Sequence, residues 1–126
     1  MIHNFPLLLG FFAAALTQAV PAPPAQKIEI ISVVGCLKQE SANEWRLFNA
    51  TDPAPSRAGT PSPDQVPKEP AVGKNQYKLI GVSEFPLTDK KDKTVYVRGL
   101  YIKAAPLNRI NITSVTTVAA TCSPAK

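Results

Sequence analysis

The chain has 126 residues, a formal net charge of +5, thirteen prolines, two cysteines and one histidine. That length allows one small domain and no more. Two cysteines and one histidine are too few for a zinc site of four cysteines or of two cysteines and two histidines, and they leave little room for histidine-based catalysis.

The first stretch, MIHNFPLLLGFFAAALTQAVPAP, reads as a leader rather than as part of the domain. Leu7 to Leu16 is an uncharged run rich in Leu, Phe and Ala, too short to span a bilayer comfortably, and the small-residue pattern TQA follows it. Residues 1–19 are therefore a predicted signal peptide with cleavage after Ala19, and Ala22 and Ala25 are later alternatives. The amino-terminal flank carries His3 but no Lys or Arg, so the competing reading is an uncleaved anchor. Cleavage would leave no membrane span and would remove the only histidine, and with it His triads, His metal sites and His proton shuttles.

Residues 27–39, KIEIISVVGCLKQ, open the domain as a strand rich in Ile and Val. Ile28 and Ile30 share one face, after which the apolar set shifts to Ile31 and Val33. Such a phase shift predicts a bulge or strong coiling. Within it, VVGC looks like the end of a lipobox. A lipidated cysteine must follow the apolar leader directly, however, and Lys27 and Glu29 stand between that leader and Cys36. Cys36 is instead expected to pair with Cys122, because an exported chain meets an oxidising compartment and an even cysteine count is read first as a disulfide. Two free buried thiols are the alternative, and a bare two-cysteine metal pair is a weaker one.

NEWRLFNA (43–50) is a second predicted strand, after a turn at ESAN. Residues 53–75 then hold six of the thirteen prolines and no large apolar residue beyond two valines. A segment of that composition reads as a disordered or polyproline II-like insertion between strands two and three. Its length costs little in loop closure. QYKLIGV (76–82) is the third strand. SEFPLTDKKDK (83–93) suits one short turn, with Phe85 and Leu87 as plugs into the core. TVYVRGLYIKA (94–104) is the fourth strand, with Val95 and Val97 on one face, Leu100 and Ile102 on the other, and a bend at Gly99. RINITSVTTVAATC (109–122) is the fifth. No stretch shows a helical period.

An all-β domain over residues 27–123 follows. Five strands, two of them bent, with a longer connection between the third and fourth, fit a small five-stranded OB-like barrel, and a sandwich is the runner-up. Four segments also carry a family likeness. VVGCL (33–37), YKLIG (77–81), DKTVYVRGLY (92–101) and ITSVTTVAATC (112–122) resemble the opening, the Tyr-x-Leu-x-Gly strand, the Gly-Lys-x-Val-x-Val-x-Gly segment and the closing strand of a family of small exported bacterial proteins of unknown function, common in soil Acidobacteria. The resemblance implies a secreted or periplasmic OB-like barrel with a cysteine pair and no assigned activity. In outline the chain is also similar to periplasmic bacterial OB-fold proteins. Asp92 stands where that family's pattern has glycine.

The sequence shows no phosphate-binding glycine loop, no metal spacing, no nucleophile–base pair and no cofactor motif. Glu29, Glu40, Glu44 and Glu84 are the candidates for carboxylate-based glycoside hydrolysis, although a solvated strand edge accounts for each. Basic and aromatic residues alternate on predicted strands: Trp45 with Arg46, Tyr77 with Lys78, Tyr96 with Arg98, and Tyr101 with Lys103. These eight form the candidate binding face, since rings and cations on an OB surface bind sugars or single strands; rings packed as core plugs beside solvated lysines are the competing account. The expected function is non-catalytic binding of an oligosaccharide, an anionic polymer or an envelope protein. Nucleic acid is disfavoured by compartment. The alternatives are a structural or stress-related envelope protein and, behind it, the hydrolase.

N-terminal sequencing of the protein exported from an expressing bacterium is expected to read from Val20. A mature chain beginning at Met1 would contradict removal of the leader.

Overall fold

The computed structural model describes residues 28–122. The predicted signal segment and its cleavage positions lie outside the described residues, as do the outermost residues of the predicted domain, 27 and 123. Within them the chain is all-β: β1 (Glu29–Ser41), β2 (Glu44–Ala50), β3 (Ala54–Pro55), β4 (Asn75–Ile80), β5 (Thr94–Ile102) and β6 (Arg109–Ala119), with three single-turn 3-10 helices in the connections. No described helix is long and apolar enough to cross a membrane.

The five long strands pair in a ring. β1 pairs with β2, β2 with β4, β4 with β6, β6 with β5, and β5 again with β1; the β4–β6 pairing is parallel and the rest are antiparallel. The ring closes because β1 serves two neighbours. Its first half runs against β5 from Glu29↔Tyr101 to Cys36↔Thr94, and its second half runs against β2 from Cys36↔Phe48 onward. Cys36 is the fork.

Every long strand sends apolar side chains into the interior of the ring: Val33 and Leu37, Leu47, Leu79, Val95 and Val97, and Ile110 are all fully buried. Burying an aliphatic side chain of this size contributes roughly 1.5–3 kcal/mol. Between β4 and β5, Leu87 joins the core and Phe85 packs against it, as the plug reading expected.

The phase shift in β1 has another origin than a bulge. The register against β5 is unbroken across it, and the slip in β1 lies between Gln39 and Ser41, against β2. Ile31 and Val33 face the core, whereas Ile28 is 72% exposed and Ile30 half-buried on the outer side. Val34 and Cys36 are buried although they alternate with those core residues, because other parts of the chain cover the outside of the sheet there. At Gly99 the expected irregularity is present: Arg98 pairs with Ser114 but Gly99 with Ile112, so Thr113 is the extra residue. A Cβ on Gly99 would meet the Asn111 carbonyl oxygen, so the bulge needs glycine.

The insertion 53–75 is not separate from the sheet. Leaving β2, the chain turns at Asn49, whose φ of 49° is left-handed and tolerated by asparagine, and then continues along the edge of β1 that β2 has vacated. Thr51 N–H donates to the Val34 carbonyl and Val34 N–H to Thr51 Oγ1, both at 2.9 Å; Ser56 N–H donates to Ile30 O at 2.9 Å. β3 pairs here, Ala54 with Ser32 and Pro55 with Ile31. Proline has no N–H to offer a further strand, so Pro53 and Pro55 end the sheet on this side. The path then crosses the outer face of the sheet, burying Pro61, and a 3-10 turn at Pro63–Gln65 follows before Gly73 N–H donates to Asn49 O at 2.9 Å. Backbone hydrogen bonds thus seat the start of the insertion on the vacated edge of β1 and tie its end, at Gly73, to Asn49.

Asp92 occupies its turn with φ 64°, the region where glycine is easiest and aspartate tolerated. Its N–H donates to Leu37 O at 2.8 Å and its carboxylate accepts from Lys38 Nζ at 2.9 Å. The turn thus combines a left-handed aspartate with an exposed ion pair to Lys38. That hydrogen bond from Lys38 holds the Asp92 carboxyl below its usual range.

Cys36 and Cys122 form a disulfide, with Cα atoms 5.4 Å apart and a sequence separation of 86. It fastens the chain end to the fork of β1. The chain-entropy account gives about 4–5 kcal/mol for a loop of this length. Urea denaturation of the double variant Cys36→Ser, Cys122→Ser is expected to show a loss of that order. A change under about 1 kcal/mol would mean that strand pairing alone holds the end.

Candidate functional site

The eight residues of the predicted binding face divide among four places. Trp45 and Tyr77 belong to the interior: they are 5% and 2% exposed and sit in the core cluster. They alternate with Arg46 and Lys78, so the two rings turn inward and the two cations outward. On the outside Arg46 and Lys78 are direct cross-strand partners on β2 and β4. Arg46 is already engaged, donating to Glu44 Oε1 from Nε at 3.1 Å and from Nη2 at 2.8 Å. Those bonds hold the Glu44 carboxyl below its usual range.

Tyr96 and Arg98 are on the outer face of β5, beneath the proline-rich strap, and both are buried. Arg98 Nη2 donates to Gln65 Oε1 at 3.2 Å and its Nε to the Tyr96 hydroxyl at 3.4 Å; the guanidinium carbon is 5.6 Å from the Tyr96 ring centre. Tyr101 is half-buried at the far end of β5, and Lys103 beyond it is exposed. The structure thus brings Tyr96 and Arg98 together and sets them apart from the Trp45 and Tyr77 rings. A single platform of exposed rings does not form, because half of the rings are needed to fill the ring of strands.

What does form is a cleft of about 450 Å³ at the open end of β1, lined by Glu29, Ile30, Ile31, Pro53, Pro55 and Tyr101. Its geometry follows from the fork. Glu29 and Tyr101 are cross-strand partners on β1 and β5, and the prolines come from the segment that covers the vacated edge. Tyr101 is fixed from two sides. Its ring meets Tyr77 edge-on with centroids 6.3 Å apart. Its hydroxyl accepts from Asn108 Nδ2 at 2.9 Å, and Asn108 Oδ1 in turn accepts from Ala104 N–H at 3.1 Å, which pins the loop between β5 and β6. Of the eight residues of the predicted binding face only Tyr101 lines this cleft, and of the carboxylate candidates only Glu29. In the sequence Pro53 and Pro55 read only as breakers, and a proline–x–proline run directly after a strand is the signal that could have pointed to them.

Glu29 is the one carboxylate of the lining. Of the other carboxylate candidates, Glu44 is tied to Arg46, while Glu40 and Glu84 are exposed, near the end of β1 and in the turn after β4. Among the described residues no three His, Cys, Asp or Glu side chains are grouped to hold a metal ion. No protein-family model, no curated protein and no solved structure matches the chain.

Burial pushes the Tyr77 phenol up to about 12, helped by Tyr101 and Asp52. The unfolded value is near 10. Burying the neutral phenol therefore contributes its full stability below pH 10, and the contribution is lost as pH rises through about 12. The urea midpoint is expected to fall between pH 10 and 12, and to fall less in Tyr77→Phe. Equal falls in both proteins would contradict the assignment.

Proposed function

We propose that this chain is an exported, non-catalytic binding module built on an OB-like barrel, and that it takes a neutral oligosaccharide in the cleft beside Tyr101. The observation that carries the reading is the cleft itself. Its volume lies in the range of small-ligand sites. Its walls are mostly apolar, and its polar groups are few: one phenol ring oriented by Asn108 and one carboxylate, Glu29. A sugar ring offers an apolar C–H face to Tyr101 and the two prolines, and hydroxyls to Glu29.

The fold reading draws support from the closed pairing, the parallel β4–β6 contact and the Leu87 plug between β4 and β5, all features an OB barrel has. Export to the periplasm or beyond draws support from the leader pattern and the disulfide. Membership in the exported Acidobacteria-type family is part of the same proposal. A structural envelope role through sheet-edge pairing has less to work with, since the ring and the prolines occupy most strand edges. A hydrolase working through two carboxylates needs them about 5–9.5 Å apart, and the cleft offers only Glu29.

The test is an NMR titration of the oxidised protein with chitin and cellulose oligosaccharides. Shifts are expected at Ile30, Ile31 and Tyr101, with affinity lowered about tenfold in Tyr101→Ala and retained in Tyr101→Phe, which keeps the ring. Shifts absent from these residues, or a Tyr101→Ala protein that binds as well as the parent, would overturn the reading.

A further inference from the structure

Arg98 is a buried cation without an anion. It is 6% exposed, and no carboxylate pairs with it among the described residues, whose ion pairs are Lys38–Asp92 and Arg46–Glu44. Asp64, the nearest acid in sequence on the strap that covers it, hydrogen bonds to Ser62 instead. Burying an ionised group without a counter-charge is costly, and arginine cannot escape by losing its proton. The partners present are weak for such a group: one amide oxygen at 3.2 Å and one phenol oxygen at 3.4 Å.

A second observation lies next to it. Ser114 on β6 is the direct cross-strand partner of Arg98, so both side chains stand on the same outer face. Ser114 is 4% exposed and its Oγ has no hydrogen-bond partner. Ser32 flanks Arg98 from the other side, on β1. Arg98 thus stands between two serines and beside a tyrosine, whose hydroxyls are neutral acceptors, and no anion receives its charge. Burial raises the Tyr96 phenol, but hydrogen bonds with Ser32, Arg98 and Ser56 and the guanidinium charge outweigh it, so the phenol lies below its usual range.

We infer that Arg98, with Ser114 and Tyr96, forms an oxyanion site closed by the proline-rich strap, and that Gln65 Oε1 holds the place of one oxyanion oxygen. The ligand chemistry is a tetrahedral or planar oxyanion such as sulfate, phosphate or a carboxylate. Guanidinium forks match these groups with two parallel bonds. The strap is suited to yield. Between Ser56 and Gly73 the only hydrogen bond from it to the sheet, among the described residues, is the one from Arg98 to Gln65. Gln65 is itself held by its own turn, since its Oε1 also accepts from Ser62 N–H at 3.0 Å. This site is separate from the cleft at Tyr101 and stands or falls without it.

The experiment follows the side-chain Nε–H signal of Arg98 by NMR, with thermal unfolding alongside, while sodium sulfate or phosphate replaces sodium chloride at constant ionic strength. Excluded salts raise stability without saturating and act on every variant alike, whereas a site saturates. A saturating shift of the Arg98 signal is expected, with a matching saturable rise in Tm. Arg98→Met should lose the saturable part. Ser114→Ala should weaken it about tenfold. Gln65→Ala should strengthen it, because a competing acceptor has gone. If Arg98 only pins the strap, Gln65→Ala will lower stability and gain no anion response. An Arg98 signal indifferent to sulfate and phosphate in the parent protein would overturn the inference even if Arg98→Met fails to fold. Titration with a sulfated or uronic-acid oligosaccharide then separates the sources: binding by free ions and oligomers alike marks a general oxyanion site, and tighter binding of the oligomer marks an anionic polymer.

Discussion

One strand with two partners organises this molecule. β1 is thirteen residues long, and its pairing passes from β5 to β2 at Cys36. Without either of these pairings the five long strands would form an open sheet with two edges. By changing partners β1 closes the ring and gives the interior enough walls to bury Leu37, Leu47, Leu79 and Ile110 completely. The same change creates a deficit, since the first half of β1 faces β5 on one side and nothing from β2 on the other. The disulfide fastens the last residues of the domain at that fork.

The proline-rich insertion is the answer to the deficit. Thr51 and Ser56 supply hydrogen bonds to Val34 and Ile30 that a regular strand would have supplied, and Pro53 and Pro55 stop any further strand from adding. Both candidate sites descend from this arrangement. Where the insertion begins, its prolines face Tyr101 across the cleft. Where it crosses β5, it covers Arg98. A segment that looks from its composition like a spacer thus forms one wall of one site and the lid of the other.

The strands were legible in the sequence because Ile, Val and Thr dominate them and turns separate them. The bend at Gly99 and the plug at Leu87 were legible for equally local reasons, and the disulfide from cysteine count and compartment. Sidedness was not. From Thr94 to Gly99 every residue is buried, since one face meets the core and other parts of the chain, the strap among them, cover the other; alternation then carries no information about which face is which. Trp45 and Tyr77 read in sequence as platform rings beside Arg46 and Lys78. Period two does say that rings and cations face opposite ways, but only the closed ring decides that the rings go in. The order in the insertion was invisible because it rests on backbone groups, which composition does not describe. Ser114 gave no sign at all: its importance comes from its place opposite Arg98, set by an extra residue, Thr113, one position earlier.

The ring also depends on the parallel contact of β4 with β6, where Lys78, Leu79 and Ile80 meet Arg109, Ile110 and Asn111. The most direct measurement is NMR of the oxidised protein, reading cross-strand proton contacts at this seam and at both halves of β1, with amide exchange on the same sample. Contacts are expected between Leu79 and Ile110 and from the two halves of β1 to β5 and to β2, with exchange of all these amides only through global unfolding. Missing contacts at the β4–β6 seam, with β2 and β4 exchanging ahead of β5 and β6, would mean an open sheet, and the fork at Cys36 would then not be what holds the molecule together.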